Sequence, residues 1–117
     1  MVRYLWAMGA AAALALTMAS AAFGQQGGAR MFVRLEVVDY KEWRKIYDGF
    51  DSARKAAGIT TSTVWQSPDD PSEVTIINDF PTLDQAKAFA ASGDLQNAMR
   101  DAGLKSPPQV WFAVQAR

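Results

Sequence analysis

The chain contains no cysteine and no histidine. Without cysteine there is no disulfide framework, no thiol nucleophile, no zinc–thiolate site and no cysteine for a lipid anchor. Without histidine it lacks the usual general base, the usual metal ligand and the usual proximal haem ligand. Neither sign of charge predominates, since twelve Lys and Arg balance twelve Asp and Glu. Phosphate binding needs clustered cations, so no nucleic-acid partner is expected. What is present is a 117-residue chain, half apolar, long enough for one domain.

Residues 1–24 have the pattern of a secretory signal peptide. Arg3 is the one cation before an apolar stretch from about Tyr4 to Met18, and Ala22-Phe23-Gly24 puts small side chains where a signal peptidase needs them. An uncleaved membrane anchor is the alternative, although an Ala-rich run partitions weakly into hydrocarbon. Cleavage after Gly24 leaves residues 25–117, eleven basic against twelve acidic, with no membrane-spanning segment expected after it. The expected address is periplasmic or secreted. A domain of that size buries only roughly 60–65% of its unfolded surface. Exported domains this small often add disulfides; lacking them, this one is expected to gain burial by self-association.

After a flexible lead, residues 25–29, the folded domain is expected over 30–117. Met31 to Val38 alternate with the period of a strand. Asp39 with Glu42 makes a capping-box-like start to a helix carrying Trp43, Ile46, Tyr47, Phe50, Ala53 and Ala57 on one stripe, closed by Gly58. Ile59–Ser67 and Ser72–Phe80 read as a hairpin around Pro68-Asp69-Asp70-Pro71. Thr82 with Gln85 opens a second helix, Gly93 interrupts it, and a short helix runs from Asp94 to Ala102 before a last strand, Gln109–Gln115. The order β-α-β-β-α-β is ferredoxin-like: an α+β fold with helices on one face of a four-stranded antiparallel sheet.

A four-residue hairpin loop sets Trp65 opposite Val74, Thr63 opposite Ile76 and Thr61 opposite Asn78. On that register Trp65 and Asn78 face the helices. The open face holds Phe32, Val64, Ile77 and Trp111, a patch of the kind that marks an interaction site, so a homodimer through this face is expected. Asp79 falls there too, more an ion-pair member than a base.

The stretches Val38–Trp43, Arg54–Gly58, Ser67–Ser72, Asp84–Ser92 and Ala102-Gly103 resemble the dimeric α+β barrel superfamily, especially small proteins related to antibiotic-biosynthesis monooxygenases, often labelled cyclases. The resemblance implies a face-to-face dimer and a small apolar pocket. Haem-degrading members use a histidine that this chain lacks, which leaves the cofactor-free branch, in which an electron-rich phenolic substrate itself supplies electrons to oxygen. Neither cofactor nor metal is then expected. Such a site needs an apolar pocket with one or two orienting polar groups. Asn78, Tyr47 and Trp65 are the candidates for binding a small apolar or aromatic ligand, with Asn78 and Tyr47 the candidates for catalysis. The activity the resemblance implies is that of a cofactor-independent monooxygenase or cyclase-like enzyme acting on a small aromatic or polyketide-like compound; a ligand-binding module without catalysis (a sensor or carrier), or a purely structural dimer, is the alternative.

Overall fold

The computed structural model describes residues 28–116; the expected signal peptide and most of the lead lie outside them. Strand β1 (Ala29–Glu36) is followed by helices α1 (Tyr40–Gly49) and α2 (Asp51–Ala56) and by the hairpin β2 (Thr61–Gln66) and β3 (Glu73–Phe80). Helices α3 (Leu83–Ala90) and α4 (Gly93–Asp101) then lead to β4 (Gln109–Val114). The sheet is antiparallel throughout, in the order β2-β3-β1-β4. This is the ferredoxin-like α+β arrangement expected from the element order. Among the described residues, no helix is long and apolar enough to cross a membrane.

The helix starts follow their capping chemistry. Asp39 accepts from the backbone N–H of Lys41 and Glu42, Thr82 from that of Gln85, and Ser92 from that of Leu95. The first helical stretch is not continuous. At Phe50 the backbone leaves helical geometry and the chain restarts with Asp51 in a new first turn. Gly49, a weak helix former, stands just before the break. The strand β1 begins at Ala29, which is buried.

Alternate residues of β1 (Met31, Val33 and Leu35) join Val74 and Phe80 of β3 under Trp43, Ala86, Phe89 and Leu95 of the helices. Phe89 closes that layer, its ring 5.8 Å from Phe80 and 6.2 Å from Phe50. Val110 and Val114 share this side of the sheet but are exposed, because β4 is an edge strand at the margin of the helical layer.

The hairpin register differs from the expected one by a single residue. Ser62 pairs with Asn78, Thr63 with Ile77, Val64 with Ile76 and Trp65 with Thr75. The ladder closes at Ser67 N–H to Glu73 C=O, so the loop holds five residues, Pro68 to Ser72. Asp70 explains the extra one. Its carboxylate accepts from both the backbone N–H and the hydroxyl of Ser72, and its carbonyl accepts from Glu73 N–H. The N–H and hydroxyl of Ser72 are thus committed to an Asx-type turn and not to pairing with β2, while its carbonyl accepts from Val37 N–H at 2.9 Å beside β1. A one-residue slip inverts every side chain of a strand. Trp65 therefore faces the open side, 58% exposed, while Val64 lies under the helices.

Gly58 follows α2 with φ +93°, a conformation that favours glycine, and a Cβ there would meet Gln85 Nε2 at 3.0 Å. Replacing Gly58 by Ala should lower stability by about 1–3 kcal/mol, measured as a shift in the urea midpoint at unchanged slope.

Candidate functional site

Between α1, α2 and α4 on one side and the sheet on the other lies an apolar cavity of about 60 Å³. Met31, Val33 and Ile76 form its floor, and Trp43, Phe50 and Phe89 are among its walls. Ile46, Met99 and Leu104, only partly buried, also line it. A benzene-sized ring needs roughly 150 Å³. The space is therefore smaller than a whole ring, and the unbranched Met99 is the lining side chain best able to give way.

Two of the three expected site residues line this cavity. Asn78 sits on β3, 3% exposed, and Tyr47 reaches in from α1. They are joined by a side chain that the sequence reasoning missed. Ser62 donates to Asn78 Oδ1 at 2.6 Å, and the Tyr47 hydroxyl lies 2.6 Å from Ser62 Oγ. A serine hydroxyl has one proton. With that proton given to Asn78, Tyr47 O–H is the donor to Ser62 Oγ. The Asn78 amide NH2 has no hydrogen-bond partner among the described residues.

Trp65 is not part of this site. The corrected register turns it to the opposite face, where its indole N–H donates to Thr63 Oγ1 at 2.9 Å.

A second residue missed from sequence is Arg54 on α2, which lines the cavity at 7% exposure. Its Nη1 donates to the Tyr47 carbonyl, which also accepts from Phe50 N–H at 3.1 Å where the helix tightens and breaks. Its guanidinium carbon lies 3.8 Å from the centre of the Tyr47 ring, and Trp43 stacks on the same tyrosine at 5.4 Å. Tyr47 is thereby held by its carbonyl, its ring and its hydroxyl. A signal did exist: Arg54 falls seven residues after Tyr47 and eleven after Trp43, on the apolar stripe.

On the open face Ile77, Phe32 and Trp111 form a row across the sheet with Thr63, and Phe32 and Trp111 stack with ring centres 5.3 Å apart. Ion pairs flank the row: Arg30 with Asp79, and Arg34 with Glu73. The Asp79 carboxylate accepts from Arg30 Nε at 2.7 Å and from Thr61 Oγ1 at 2.6 Å. The Arg30 hydrogen bond above all, with help from Thr61, holds the Asp79 carboxyl below the usual aspartate range. Asp79 stays ionised at neutral pH as a partner for Arg30, on the side of the sheet away from the cavity. Among the described residues, no group of three or more acidic side chains could hold a metal ion.

No family profile matches the sequence, and no curated protein resembles it closely enough in sequence to count as a relative. Solved structures do match. A candidate antibiotic biosynthesis monooxygenase from Bordetella bronchiseptica superposes with a TM-score of 0.66 at 20% identity, over 78% of this chain and 99% of that one. SnoaB, a cofactor-independent oxygenase from Streptomyces nogalater, matches with a TM-score of 0.64 at 16% identity, over 78% of this chain and 94% of its own. A candidate antibiotic biosynthesis monooxygenase from Caulobacter crescentus gives 0.64 at 14% identity, over 80% and 93%.

Replacing Tyr47 by Phe removes the donor to Ser62 and leaves a half-buried hydroxyl oxygen short of a bond. Stability should fall by about 1 kcal/mol, read from urea unfolding, while Tyr47→Phe with Ser62→Ala together should cost less than the sum of the two single changes. The fold expected from the sequence is the one observed: the chain is similar in structure to the antibiotic biosynthesis monooxygenases and shares their α+β architecture.

Proposed function

We propose that this chain is an exported, cofactor-independent oxygenase of a small electron-rich aromatic compound, working as a homodimer whose sheets meet face to face. One observation carries the reading: an otherwise apolar cavity receives the buried amide of Asn78, with its NH2 group left over for a ligand. SnoaB, which has the same fold, is named a cofactor-independent oxygenase, and this supports the assignment. In such chemistry the substrate supplies the electrons to oxygen. The protein has to exclude water, orient the ring and stabilise the substrate as it loses its proton. Trp43, Phe50 and Phe89 provide the dry wall; Asn78 orients, and Tyr47 and Ser62 fix the amide of Asn78.

Oxygen uptake by the chain with a panel of hydroquinones tests this. At least one member should be consumed, and Asn78→Ala should lower kcat by about tenfold or more. A second reading, a ligand carrier or sensor without turnover, is favoured by the cavity lining itself, which includes no carboxylate. Binding of these aromatics without oxygen uptake would establish it.

The dimer reading is supported by the open face. Trp65 and Trp111 are 58% and 44% exposed there, beside half-buried Phe32 and Ile77. Such an apolar row is costly to leave in water. Sedimentation should give twice the chain mass, and Trp111→Arg should give a monomer with unchanged far-UV circular dichroism.

A further inference from the structure

A ring larger than the free space enters the cavity only if a wall gives way, and the walls are held unequally. The floor residues Met31 and Val33 lie on β1, which is hydrogen-bonded to a neighbouring strand on each side. Helix α1 is tied to β2 by the 2.6 Å contact between the Tyr47 hydroxyl and Ser62 Oγ, and α2 is tied to α1 through Arg54. Helix α3 presents Phe89, buried and packed against both Phe80 and Phe50.

Helix α4 has no such tie. Its side-chain hydrogen bonds are local: the Ser92 cap, Gln96 Nε2 to the Ala90 carbonyl, and Arg100 to Asn97. Among the described residues, no hydrogen bond or ion pair joins it to α1, α2 or the sheet. It has no aromatic residue and faces the cavity with Leu95, Ala98 and Met99. Ala98 and Met99 are only half-buried, as are the lining residues Ile46 and Tyr47 of α1, so the cavity meets solvent on the side of these two helices.

Glycines flank α4. Gly93 opens it with a φ outside the left-handed region, and a Cβ there would meet nothing within 4 Å. Neither backbone angle nor space calls for glycine, so what this residue supplies is conformational freedom. Gly103 follows the helix with φ +69°. Its carbonyl accepts from Val38 N–H at 2.9 Å, and Lys105 N–H donates to the Glu36 carbonyl at 2.8 Å, fastening the chain to the end of β1 just past the helix. A helix anchored beyond its ends and held in the middle only by a few apolar side chains is a unit that can open alone.

We infer that α4 is the gate of the cavity: it lifts about Gly93 and Gly103 while the sheet and the other helices stay folded, Met99 moves aside, and the helix closes again over what has entered. The identity of the ligand rests on the small-aromatic reading above; the motion does not.

Native-state amide hydrogen exchange, with and without hydroquinone and in the absence of oxygen, tests this. In the free chain the Ala98 and Met99 amides should exchange about a hundredfold faster than those of Ile46 and Phe89, with little dependence on low urea. Hydroquinone, its binding followed by tryptophan fluorescence, should slow exchange in α4 more than in α1 or α3. Because the chain has no cysteine, Ala102→Cys supplies a second readout: its thiol should react with a disulfide reagent at a rate that low urea barely changes. If α4 exchanges as slowly as α1, or only with the urea dependence of global unfolding, the gate is overturned whether or not hydroquinone binds. Hydroquinone binding that leaves α4 exchange unchanged would also overturn it. Failure of hydroquinone and its analogues to bind would overturn the aromatic reading, and the free chain's exchange would still decide the gate.

Discussion

The loop from Pro68 to Ser72 holds five residues because Asp70 binds Ser72 by both backbone and hydroxyl, and that count determines which side of the sheet each β2 side chain occupies. With five residues, Ser62 stands directly across the ladder from Asn78 and beneath the helices. With four, Ser62 would face the open side and Thr61 would stand across from Asn78 in its place, so the register decides which hydroxyl the site contains. The loop sits at the far end of the hairpin from the pair it positions, and the rigid two-residue period of the strand carries its effect there.

The helical side makes a comparable commitment at Phe50. Where α1 stops, the Tyr47 carbonyl accepts from Phe50 N–H at 3.1 Å, and Arg54 of α2 adds a second donor. Bringing Arg54 back over Tyr47 buries its charge against the ring at 3.8 Å, a contact that contributes roughly 0.5–2 kcal/mol depending on desolvation. The same side chain thus ends a helix, clamps a tyrosine and adds a positive charge to an otherwise apolar cavity.

The two faces of the sheet solve different problems. One is covered by the chain's own helices and carries Met31, Val33, Leu35 and Val74 with almost no exposure. The other carries an apolar row between two ion pairs, and Trp65 adds to its exposed apolar surface. Arg30 and Asp79, like Arg34 and Glu73, pair within the chain, so these side chains would enter an interface with their charges already matched. That lowers the desolvation cost of covering the face.

Much of the architecture was legible in the sequence, because local chemistry dictates it. Alternation gave β1, Asp39 and Thr82 gave the helix starts, and the element order gave the sheet. Asn78 was recognisable as the one polar residue on an apolar strand face, and Tyr47 lay on the helix stripe. Arg54 was readable on that stripe too, but a charged side chain there is normally solvated, and only the tertiary structure shows it buried over Tyr47. Ser62 and Trp65 could not be placed from their strand alone. Thr61–Gln66 does not alternate, since three small polar residues precede the adjacent Val64 and Trp65, so both faces are nearly equally acceptable and tertiary structure decides between them. Here the decision came from a turn of hydrogen bonds around Asp70, whose loop length no periodicity encodes.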